Sequence, residues 1–127
     1  MSNQPSKLVI EQRIGNRIFE YLNGVIEYEV KPDAWNLNEL VNDWEFNVSD
    51  TFTPSDYPYP AFTDSENKAM SNVHAAWLIF ANATPQTITD EALARSLPEW
   101  KFFLTACSFA VEVFSQRGYL DENSEIG

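Results

Sequence analysis

Residues 98–117 are the stretch with the least freedom in how it can be placed. Trp100, Phe102, Phe103, Leu104, Cys107, Phe109, Ala110, Val113 and Phe114 are apolar, while Lys101, Thr105, Ser108, Glu112 and Ser115 form a narrow polar strip. Pro98 suits a first helical turn, where the missing N–H costs nothing. Gly118 can take the left-handed conformation that closes a helix C-terminus. A helix that is apolar around most of its circumference has to be covered on most sides. It is the expected central element of the fold, with Phe103 and Phe109 both in the core. At 127 residues the chain has room for one domain of this kind, with flexible ends expected at 1–6 and 120–127.

Three shorter helical segments precede it. Leu37, Leu40, Val41 and Trp44 recur at helical spacing within residues 35–45, with Trp35 just before them. Met70, Val73, Trp77 and Phe80 mark the inner stripe of a helix over about 65–82, with Thr63, Asp64 or Ser65 as its N-cap. A short helix from Asp90 to Arg95 is expected behind Thr89 as cap. Between the first two lies an irregular connection. Pro54, Pro58 and Pro60 break any continuous helix there, and Asp50, Ser55 and Asp56 favour turns. So long a loop in a small domain is a candidate for function.

The first thirty residues carry two competing signals. Gly15-Asn16 and Asn23-Gly24 are two-residue hairpin turn dipeptides, flanked by segments rich in Ile, Val, Phe and Tyr. They predict a three-stranded antiparallel meander. Its core face would hold Leu8, Ile10, Ile14, Phe19, Tyr21, Ile26, Tyr28 and Val30, and Val9, Ile18, Leu22 and Val25 would lie on the other face. Against this, Ile10, Ile14, Ile18, Leu22 and Val25 also fit helical spacing, at the expense of a glycine inside the helix. The expected architecture is α+β: the meander packed through one face onto a layer of about four helices.

The net charge is −11 at pH 7, and it is unevenly placed. Residues 1–31 balance four acids with four bases, whereas Pro32 to Asn67 carry eight acids and neither Lys nor Arg. A 44% hydrophobic and 14% aromatic content excludes a disordered acidic tail. The charge argues against direct contact with nucleic acid or an anionic membrane. One His and one Cys are too few for zinc, iron–sulfur or haem ligation, so no metal or cofactor is expected. The polar start from Met1 to Ser6 does not resemble an export signal, and the longest apolar run, Ala75 to Ala81, is too short to span a bilayer. The lone Cys107 suits a reducing compartment, and the cytoplasm is the expected location.

No catalytic constellation is recognisable. His74 has neither a nucleophile elbow nor triad spacing beside it and reads as a partly buried structural residue. Cys107, without a neighbouring cation, reads as a buried inert thiol. The acidic stretch combines carboxylates, which steer a basic protein, with large rings, which supply contact area. Asp50, Asp56, Tyr57, Tyr59, Asp64 and Glu66 are therefore the expected partner-binding residues. The resulting expectation is an acidic, non-catalytic protein that neutralises a basic protein partner, such as a toxin domain, after the manner of an immunity protein. A self-associating assembly protein and a small enzyme with an unrecognised site are the competing classes.

Overall fold

The computed structural model describes residues 4–34, 36–48 and 53–126. Among these residues there are five helices: α1 (Lys7–Val30), α2 (Leu37–Asn47), α3 (Asp64–Ala83), α4 (Glu91–Ser96) and α5 (Pro98–Ser115), with short 3₁₀ turns at Pro32–Ala34 and Pro54–Asp56. No strand occurs among the described residues. The α+β expectation is thus overturned, because the meander is replaced by one helix of 24 residues.

The physical reason lies in what α1 buries. Ile18, Leu22, Val25 and Tyr28 are fully buried, and Val9 nearly so, whereas Ile10, Ile14 and Val30 are exposed. The apolar period is therefore that of a helix, and four residues on the supposed polar face of the meander are core. Each buried side chain is worth roughly 1.5–3 kcal/mol, against about 1 kcal/mol for each helical glycine. Packing outweighs local turn preference. Gly15 packs against Phe62 at ordinary distance: a Cβ there would lie 3.5 Å from the Phe62 ring. Asn23 bonds within the helix, its Nδ2 donating to the Phe19 carbonyl at 3.1 Å. Ser6 caps the start by accepting from the Val9 amide at 3.2 Å.

The later helices lie close to their expected bounds. Leu37, Leu40, Val41 and Trp44 of α2 are all buried, as are Met70, Val73, Trp77 and Phe80 of α3. Thr63 and Glu66 form a reciprocal capping box at the start of α3. The cap of α4 is Asp90 rather than Thr89. Gly118, at φ 70°, follows α5 and donates its amide to the Phe114 carbonyl. Helix α5 packs against α3, α1 and α4. Phe103 is fully buried and stacks on Phe80 with ring centroids 6.2 Å apart. Phe109, expected in the core, is instead 52% exposed, and Phe102 is 67% exposed. One side of α5 faces outward, which its apolar composition concealed.

Polar atoms of the aromatic residues tie the helices together. Tyr21 donates to the Leu40 carbonyl at 2.6 Å, Trp77 to the Val41 carbonyl at 2.7 Å and Trp100 to Glu29 at 2.7 Å. Past α5 the chain doubles back along α1. There Gln12 donates to the Asp121 and Ser124 carbonyls and accepts from the Ile126 amide. Asn16 pairs with both the amide and the carbonyl of Leu120.

Candidate functional site

The segment between α2 and α3 is anchored at three points. Asn67, on the second turn of α3, donates through Nδ2 to the Tyr57 carbonyl at 2.8 Å. Arg117, just past α5, donates to the Pro60 and Ala61 carbonyls, both at 2.8 Å. Phe62 inserts against the bare backbone of Gly15, its ring meeting Tyr57 edge-on at 5.1 Å. These anchors tie the loop to the start of α3 and to the end of α5, and loop and helix together line an open groove of about 560 Å³. Tyr57, Tyr59, Asp64, Asn67 and Lys68 line it, with Ser71 and Asn72 at its far end.

Three of the sequence-predicted residues, Tyr57, Tyr59 and Asp64, thus meet in one place. Tyr59 is 78% exposed, whereas Tyr57 is buried. Asp64 is exposed in the first turn of α3, where the helix dipole favours a negative charge. Asp56 is exposed beside the groove and accepts from the Thr53 hydroxyl at 2.8 Å. Glu66 has a different role. It is 3% exposed and forms a two-point ion pair with Arg117, at 2.6 Å and 3.1 Å. Its Oε1 also accepts from the Thr63 amide. Glu66 therefore positions the loop from behind, and a partner could not reach it without opening the fold. Asp50 lies outside the described residues, as does Trp35.

Sequence reasoning missed Asn67 and Lys68, which are unremarkable by composition and become part of the site only through the loop's return over α3. A second depression continues along the seam of α3 and α5, shares Lys68 and Asn72 with the first, and reaches Phe109 and Glu112.

The other reactive side chains are internal. His74 is 8% exposed and accepts the Trp44 indole N–H at Nδ1, 3.0 Å away, while its ring stacks on Trp77. Cys107 is fully buried, and burial pushes its thiol well above the ordinary range, so little thiolate is available. No group of three or more His, Cys, Asp or Glu side chains among the described residues is placed to hold a metal ion. Likewise, no helix among them is long and apolar enough to cross a membrane. Comparison with protein families, with curated proteins and with solved structures finds no match.

Proposed function

We propose that the protein is an acidic, non-catalytic binding protein that docks on a basic protein partner and neutralises it, in the manner of a toxin's immunity protein. The observation that carries this reading is the convergence of Tyr57, Tyr59 and Asp64 on one anchored groove, with Asp56 exposed beside it. A groove held by internal bonds loses little conformational entropy on binding. The net charge of −11 supplies long-range attraction for a cationic surface. The reading places the protein in the cytoplasm, a location supported by its single buried free cysteine.

The test compares the native chain with the charge reversal Asp56→Lys/Asp64→Lys in parallel captures from the source cell, washed at rising salt. A basic protein held by the native chain and lost from the variant supports docking at the groove. Inhibition of that protein's activity by the native chain supports neutralisation. Equal retention by both chains refutes the groove as the docking site.

Self-association is a second reading, favoured by the exposed Phe102 and Phe109 on the outer side of α5 and Ile79 on α3. Light scattering of the purified chain tests it: a dimer that dissociates in Phe102→Ser/Phe109→Ser supports it, and a monomer removes it.

A further inference from the structure

We propose that the groove is a receptor for one arginine side chain of the basic partner. This rests on the docking reading above and names the chemistry that the groove recognises.

The decisive group is Asn67. Its side chain is 8% exposed and lines the groove. Its Nδ2 donates to two carbonyls, Tyr57 at 2.8 Å and Thr63 at 3.4 Å, whereas its buried Oδ1 has no hydrogen-bond partner among the described residues. Those two acceptors fix the amide's orientation, since a flipped amide would set its oxygen against both carbonyl oxygens. The unsatisfied atom is therefore an acceptor, and a buried acceptor is normally paired. What Asn67 Oδ1 lacks is an N–H or O–H donor.

Charge and shape narrow the donor further. Asp64 is exposed at the edge and supplies a carboxylate. Tyr59 offers an exposed aromatic ring. A guanidinium satisfies all three features at once. Its planar fork can donate to Asn67 Oδ1 and to the Asp64 carboxylate, while its face stacks on the Tyr59 ring. An ammonium is a compact point charge without that planar face. A backbone amide would answer Asn67 but would leave Asp64 unused. Lys68, exposed on the same wall, is the one lining charge of the wrong sign. It weakens the site for any cation, which supplies a variant expected to gain affinity.

The experiment titrates the full chain with three blocked tripeptides, Gly-Arg-Gly and its lysine and citrulline counterparts, followed by NMR. The arginine peptide is expected to shift the Asn67 side-chain amide and the Tyr59 ring resonances saturably, in the millimolar range. The lysine peptide should bind more weakly, and the citrulline peptide, which keeps the shape but not the charge, should leave both signals unmoved. Lys68→Gln should tighten arginine binding and Asp64→Asn should weaken it, each by about two- to fivefold, the size of an exposed charge interaction. Both side chains are exposed, so neither change threatens the fold. Equal shifts from the citrulline peptide would overturn the proposal, as would an affinity indifferent to both variants. No peptide binding, with partner capture still lost in Asp56→Lys/Asp64→Lys, would remove the arginine and leave docking standing. Peptide binding with undiminished capture would overturn docking at the groove and keep the cation site alone.

Discussion

Replacing Gly15 by Ala separates the observed helix from the hairpin that the same dipeptide suggests. Gly15 lies in mid-helix, and Gly118 is the only glycine among the described residues with a positive φ. An added Cβ would meet Cε1 and Cζ of Phe62 at 3.5 Å and the Ala61 carbonyl oxygen at 4.0 Å, which are ordinary contacts. Nothing has to move, so the helix-propensity gain of about 1 kcal/mol should survive nearly intact. In a chain of this size that corresponds to a rise in melting temperature of roughly 3–5 °C. Urea denaturation followed by tryptophan fluorescence checks it, with an unchanged m-value as the sign that only stability moved. Gly118→Ala is the internal contrast. A Cβ there has open space around it, but φ is 70°, so strain should lower stability by about 1–2 kcal/mol. If Gly15→Ala instead lowers stability by about 1 kcal/mol or more, as a left-handed turn glycine would, the reasoning about α1 fails.

One buried and one outward-facing phenylalanine make α5 testable: Phe103→Ala should cost about 3–5 kcal/mol, and Phe109→Ala, half exposed, under about 1 kcal/mol, by the same denaturation assay. Arg117→Ala should cost about 3 kcal/mol, because it leaves the buried Glu66 carboxylate without its cation; the double change with Glu66→Gln should recover part of the loss. The Asn16 amide, and then the Arg17 guanidinium, hold the Glu122 carboxyl below its ordinary value of 4.5. The C-terminal segment should therefore keep this stabilisation above that value and lose it as pH falls through the lower folded one. Amide exchange at Ile126, bonded to Gln12, reports it, and Glu122→Gln should flatten the acid dependence; an Ile126 amide equally protected at all pH values would refute the link.

Helices α2, α3 and α5 were legible because their apolar residues recur with a period that a strand cannot use, and because Pro98, Thr63 and Gly118 mark ends by local chemistry. Helix α1 was misread for an equally physical reason. Gly and Asn are permissive residues, and their usual reason for being in a sequence is a turn. Here Gly15 packs in mid-helix against Phe62, a residue 47 positions further along, and Asn16 bonds to Leu120 at the far end of the chain. Both partners are remote in sequence, so a local reading has only the turn to offer. The periodicity of Ile18, Leu22 and Val25 was the competing signal, and burial made it the stronger one.

The site divides along the same line. Acidic residues and rings clustered in sequence were readable as a surface, and Tyr57, Tyr59 and Asp64 do converge. Spacing along the chain could not distinguish Asp64 from Glu66, two positions apart at the start of one helix. A separation of two residues turns a helical side chain by about 200°, so one faces the groove and the other faces Arg117. A carboxylate at Glu66 is thus committed to the loop's anchorage, while the one at Asp64 remains available to a cation. The same geometry brings Asn67, three residues beyond Asp64, onto the groove side, and its buried Oδ1 has no hydrogen-bond partner among the described residues. The chemistry of the groove follows from helix phase at the start of α3 together with the loop folded over it. Neither is visible in the tally of charges along this stretch.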